Sequence, residues 1–221
     1  MKSEEFITFA AMNEKPIPET WSKNVILADA DYIDHVAFNL IVNFERMLER
    51  RIPQADLARW IDCVALDGGI REQQGASDSS TQVILLHSKN KERLENFLPG
   101  RYQDELDGKA FKDNLGEFLI SCVPVEQMTT MEDLFMHSMR HIRQQEQVEN
   151  LMLIADDRYL DQVLMELHRN QTPVERSDAA ITVFTMQPVI SGPYNQQILG
   201  FSLMSAMGIN SEEIEKKRTR L

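Results

Sequence analysis

Cysteine is scarce in this chain: Cys63 and Cys122 are the only two in 221 residues, and each lies inside an apolar run. Two separated thiols make neither a disulfide framework nor the ligand spacing of a zinc site, and they predict a reducing compartment. Long apolar runs are missing too. Nothing approaches the roughly 18 consecutive apolar residues of a membrane-spanning helix, so no membrane association is expected. The first residues, Met1 to Glu5, carry two acids ahead of a short apolar patch, where a secretory leader would show a basic start. A cytoplasmic location is the expectation.

Glycine-rich fingerprints are absent as well. Without a P-loop or a dinucleotide-binding glycine turn, a nucleoside triphosphatase and a dehydrogenase are disfavoured. Gly200-Phe201-Ser202-Leu203-Met204 lacks the second glycine of a nucleophile elbow, which disfavours a serine hydrolase. Basic charge is in deficit: 23 Lys and Arg stand against 35 Asp and Glu, for a net charge of −12. Such a chain is repelled overall by nucleic acid and by anionic membranes, although a local basic groove can coexist with a negative total.

What remains is an ordinary globular composition, 43% hydrophobic and 26% charged, with length enough for one core. Val25-Ile26-Leu27-Ala28 is a continuous apolar run, the mark of a strand buried on both faces. Apolar residues then recur at helical spacing from Ile33 to Leu48. Further strands are predicted at 60–66, 82–87, 117–125, 151–155 and 181–186. The glycine-bearing polar stretch 67–81 suggests that the strands at 60–66 and 82–87 form a long-looped hairpin. A helical region with polar interruptions is read over 91–114, bent near Pro99-Gly100. Thr129-Thr130 ahead of Glu132 and Asp133 looks like a capped helix start. The Met-rich stretch 196–207 reads as a docking helix stopped at Gly208.

Alternating strands and helices of this kind predict an α/β fold of three layers, α/β/α. Its sheet would be mostly parallel, with about six strands and one antiparallel hairpin. The organisation expected is an N-terminal arm over 1–23, an α/β domain over 24–190 and a C-terminal helical extension over 191–221 packed on it. The Met-rich C-terminal region is also the candidate seam of a homodimer.

Ligands of open α/β sheets bind beyond the carboxyl ends of the strands. Asp29 and Asp31 follow the first strand, Asp156 and Asp157 follow the one at 151–155, and Glu132 and Asp133 open the helix between. Carboxylates sharing a small site repel one another. A hard cation such as Mg²⁺ or Mn²⁺ relieves that repulsion and can activate water against a phosphodiester. Single aspartates after strands also serve simply as helix caps. His137 and His141 share one helical face but lack the acid of a zinc motif.

The segments Val25 to Asp31 and Leu151 to Leu160 resemble the opening and later strands of the PIN-like nuclease fold, in particular its NYN branch. That resemblance implies a metal-dependent ribonuclease. Asp29, Asp133 and Asp157 would be its catalytic and metal-binding acids, supported by Asp31 and Asp156, with Mg²⁺ or Mn²⁺ as cofactor and RNA held through a local site. Two departures stand out. Ala155-Asp156 replaces the branch's small-residue–glycine pair, and Arg158-Tyr159 stands where a last aspartate belongs. The whole chain is also similar to an uncharacterised family of Bacteroidetes proteins. The alternative to a nuclease is a non-catalytic α/β binding or interaction protein with a degenerate site.

Overall fold

The computed structural model describes residues 21–71, 80–126, 128–169 and 179–218. Most of the arm expected over 1–23 lies outside them, as do residues 72–79 of the polar loop.

The first strand, β1 (Asn24–Asp29), is buried along its whole length. Successive side chains of a strand face opposite sides, and here both sides are apolar. Ile26 and Ala28 enter one core and Val25 and Leu27 the other. Helix α1 (Ala30–Leu48) follows directly and ends at Glu49, whose φ is 53°. A two-residue strand β2 (Ala55–Asp56) leads into α2 (Leu57–Asp67), and β3 (Ser80–Ser88) returns to the sheet.

Between β3 and β6 (Gly116–Val125) lie β4 (Phe97–Leu98), a π-helical turn (Tyr102–Leu106) and β5 (Ala110–Asp113). Helix α3 (Met131–Arg143) leads to β7 (Asn150–Ile154), and α4 (Leu160–Arg169) to β8 (Ala180–Thr185). The chain finishes with β9 (Asn195–Ile198), α5 (Leu199–Ala206) and α6 (Ser211–Arg218).

The main sheet has seven strands in the order β5-β6-β3-β1-β7-β8-β9. All neighbours are parallel except β5, which pairs antiparallel with β6 at one edge. From β1 the chain moves outward through β3 to β6. It then crosses back to β7, where Asn150 lies opposite Asn24 of β1, and moves outward the other way. Helices α1, α2 and α5 cover one face, and α3 and α4 the other. The fold is therefore the expected three-layer α/β/α arrangement. The reversal of direction puts the topological switch point between the carboxyl ends of β1 and β7, where doubly wound sheets bind ligands.

Three local expectations are corrected. Residues 60–66 are helical, because Asp56 caps α2 by accepting a hydrogen bond from the Arg59 N–H (3.0 Å). Leu57, Trp60, Ile61, Val64 and Ala65 then form a buried helical stripe. The antiparallel hairpin is accordingly β5–β6, not 60–66 with 82–87. Residues 91–114 are not a helix. Pro99 and Gly100 interrupt them, and Phe97 and Tyr102 reach the core from a short strand and the π-helical turn. The stretch 196–207 begins as β9, which extends the sheet, and only then becomes α5. Gly208 stops it at φ 67°, as glycine readily does.

Candidate functional site: the acidic switch point

Asp29 is the last residue of β1 and the N-cap of α1. Its Oδ1 accepts the Tyr32 N–H at 3.0 Å, and its Oδ2 accepts the Tyr159 hydroxyl at 2.8 Å. The residue has no exposed surface. Burial pushes its carboxyl up to about 6. The two hydrogen bonds pull it back in part, and the charges of Asp31 and Asp156 add to the rise.

Tyr159 comes from the turn between β7 and α4. It is buried, and its ring packs against Phe135 of α3 with centroids 5.6 Å apart. Burial and the Asp29 charge both push its phenol well above the usual range. The tyrosine thus closes over the acid at the end of β1.

Asp31 and Asp156 are also held by partners. Asp31 accepts hydrogen bonds from the Ser88 N–H (3.1 Å) and the Ser88 hydroxyl, joining α1 to the end of β3. Its other oxygen lies 3.3 Å from Lys91 Nζ. Asp156 is clamped by Arg158. Its oxygens accept the Arg158 backbone N–H at 2.8 Å and the guanidinium Nε and Nη2 at 3.0 and 2.7 Å. Burial pushes the Asp156 carboxyl up, but the bonds from Arg158 outweigh it and hold the group below the ordinary carboxylate value.

Asp157 is exposed, and its charge is felt by the Tyr32 hydroxyl. That hydroxyl is buried. Burial first, then Asp157, pushes its phenol up.

Asp133 serves a different purpose. Thr130 Oγ1 accepts the Asp133 N–H at 3.1 Å, while the Asp133 carboxylate accepts the Thr130 hydroxyl (2.6 Å) and N–H (3.4 Å). This is a capping box at the start of α3. Asp133 also lines a surface groove between α3 and α4 with Arg140 and Glu166. The structure therefore brings Asp29, Asp31, Asp156 and Asp157 to the carboxyl ends of β1 and β7 and gives Asp133 to a helix terminus.

Among the described residues, no three His, Cys, Asp or Glu side chains gather closely enough to hold a metal ion. A divalent cation needs several accessible carboxylate or water oxygens. Asp29 offers none, and at Asp156 a guanidinium already holds the place a cation would take. The residues at the switch point do not fit Mg²⁺ or Mn²⁺. Sequence reasoning singled out Arg158 and Tyr159 only as departures from a pattern and missed that they close this site. Arg158, two positions after Asp156, carried a local signal as a turn partner. The reach of Tyr159 to Asp29, 130 positions away, left none.

The chain belongs to DUF6621, a family of unknown function, whose model matches residues 18–214. No curated protein and no solved structure matches it. The matched span runs from before β1 into α6, so it takes in both sides of the switch point and the residues that close it.

Proposed function

We propose that this protein is a non-catalytic α/β binding protein that keeps a PIN-like frame around a closed, degenerate acidic site. The observation that carries this reading is the Tyr159 hydroxyl bound to Asp29 Oδ2 at 2.8 Å, on a carboxylate with no solvent exposure. Opening Asp29 to a cation would leave buried polar groups without partners, at about 1–3 kcal/mol each. The Arg158 guanidinium repels a cation approaching Asp156. The net charge of −12 further disfavours a long nucleic acid as the partner.

A competing reading as a Mg²⁺- or Mn²⁺-dependent ribonuclease draws support from the four acids that share the carboxyl edge of β1 and β7. It requires Tyr159 to leave Asp29. Labelled single-stranded RNA incubated with wild type or Asp29→Asn, in Mn²⁺ and in chelator, separates the two. The binding reading expects no Mn²⁺-dependent cleavage by either protein and no Mn²⁺ binding that Asp29→Asn removes. Cleavage by wild type that needs Mn²⁺ and disappears in Asp29→Asn would overturn it.

A further inference from the structure

Beside the switch point, at the carboxyl ends of β3 and β6, lies a cavity of about 550 Å³, within the size range of small-molecule sites. In a chain carrying −12, its wall holds four cations: Lys89, Lys91, Arg93 and Arg101. Three acids, Glu92, Asp104 and Asp107, share the wall. Asp107 is used structurally, accepting the Cys122 N–H at 3.0 Å.

The arginines are held side by side by the backbone. Arg93 and Arg101 form an antiparallel bridge, locked by the hydrogen bond from the Leu94 N–H to the Gly100 carbonyl (2.9 Å). Residues directly opposite each other in such a pair project to the same side, and like charges there cost stability.

Each cation has an acidic neighbour, and the arginine contacts are long. Arg101 Nη1 lies 3.5 Å from Asp104, and Lys89 Nζ lies 3.0 Å from Glu126. Arg93 Nε lies 3.3 Å from Glu95 yet, among the described residues, donates no hydrogen bond, although the atom is buried. Exposed ion pairs of this sort are worth little, so the exposed ends of these side chains are available to a better acceptor. The Tyr102 hydroxyl, from a second residue of the wall, is also buried without a hydrogen-bond partner among the described residues.

We propose that this cavity binds an organic phosphate of about nucleotide size, with its phosphate between Arg93 and Arg101. A guanidinium is a planar fork that matches phosphate oxygens two at a time, and a pair of forks suits a doubly charged group. The volume exceeds what one phosphate fills. The body of the ligand occupies the rest, against the apolar surface near Pro124. The inference deepens the binding reading above by naming a ligand class, and rests on it only in that respect.

Isothermal titration of the full chain at low salt tests it, with adenosine monophosphate, uridine monophosphate, inorganic phosphate, adenosine and single-stranded RNA as probes. The monophosphates should bind, inorganic phosphate more weakly, and adenosine not measurably. Added salt should weaken the binding. Arg101→Gln and Arg93→Gln should each lower affinity about ten-fold or more, as loss of a charge-assisted bond implies. Arg101→Gln should leave thermal stability equal or raised, which separates lost binding from lost folding. Binding unchanged in both arginine variants, no binding at millimolar monophosphate, or binding of single-stranded RNA alone would each overturn the proposal. Mn²⁺-dependent RNA cleavage lost in Asp29→Asn would overturn the reading at the switch point and leave this titration as it stands.

Discussion

Tyr159 and Asp29 are separated by 130 positions in the chain and joined by a 2.8 Å hydrogen bond across the carboxyl ends of β1 and β7. The phenol hydroxyl donates and the buried carboxylate accepts, so each satisfies a group that water cannot reach. The same bond ties the turn before α4 to the cap of α1, on the opposite face of the sheet. It is structural and, at the same time, the reason the acidic edge is closed.

Removing the donor should therefore be costly. Tyr159→Phe keeps the ring against Phe135 and leaves Asp29 Oδ2 without its partner, for a loss of about 1–3 kcal/mol. The Asp29 carboxyl should also titrate higher, since the hydroxyl favours its charged form. Urea unfolding and a carboxyl ¹³C NMR titration measure the two effects. A variant as stable as wild type, with Asp29 titrating unchanged, would show that the bond does not carry this weight.

Stability should fall with rising pH through the mildly acidic range. The Asp29 carboxyl lies at about 6 in the folded chain against an ordinary 3.8, so between those values the folded state holds a proton that the unfolded state has released. The stabilisation is full below pH 3.8 and is lost as pH rises through about 6. Asp62 acts in the same direction. Burial, then the neighbouring Asp113, pushes it from 3.8 to about 7. Melting curves of wild type and Asp29→Asn from pH 4 to 8 isolate the first contribution. The variant should gain on wild type between pH 4 and 6, by no more than about 3 kcal/mol. Parallel curves across that interval would contradict the assignment.

Asp133 should behave as a helix cap. Thr130→Ala removes one side of the capping box and should cost about 1 kcal/mol. Asp133→Ala should lower the melting temperature by a similar amount without altering any Mn²⁺ response. If Asp133→Ala left stability untouched and abolished a Mn²⁺-dependent signal, the ligand role drawn from the NYN resemblance would be restored.

Gly100 should resist even the smallest side chain. A Cβ there would meet the backbone carbonyl oxygens of Leu94 and Phe97, which cannot turn aside as a flexible side chain does. Gly100→Ala is expected to cost about 1–3 kcal/mol, as overpacking does. Because Gly100 accepts the Leu94 N–H within the Arg93–Arg101 bridge, the arginine pair should also be disturbed. Equilibrium unfolding and amide shifts of residues 93–101 report both.

Most strands that could be read from the sequence were those buried on both faces. β6 differs, with Phe118 and Ile120 buried and Glu117 and Leu119 exposed. β1, β3, β7 and β8 are apolar runs with little polar relief, and a run of that kind implies a covered parallel strand. The same signature misled at Trp60 to Leu66. The run begins one turn inside α2, so a reading that starts at Trp60 misses the Asp56 cap and the Leu57 that establish a helical period. Over 91–114, apolar residues at Leu94, Phe97, Tyr102 and Leu106 mimic helical spacing, while Pro99 and Gly100 dictate an irregular path. At the acidic edge, chain order put Asp29 and Asp156 at strand ends, and the switch point brought them together. What the side chains do there is set by long-range partners, Tyr159 for Asp29 and Ser88 and Lys91 for Asp31. No local pattern encodes such partners.

The placement of β1 at the centre of the sheet bears on how the chain comes to fold. Asn150 Nδ2 donates to Asn24 Oδ1 at 2.8 Å across 126 positions, and β3 pairs with β1 from Thr81 onward. The β3 neighbour is in place by Ser88, but the β7 edge of the central strand stays open until two-thirds of the chain exists. Loop closure on that scale precedes the reward of strand pairing, so high contact order should make folding slow. The half-sheet β1–β3–β6 is the unit that can assemble first, with an apolar strand edge exposed until β7 docks. Chaperone demand, more than final stability, would then limit the yield of this protein.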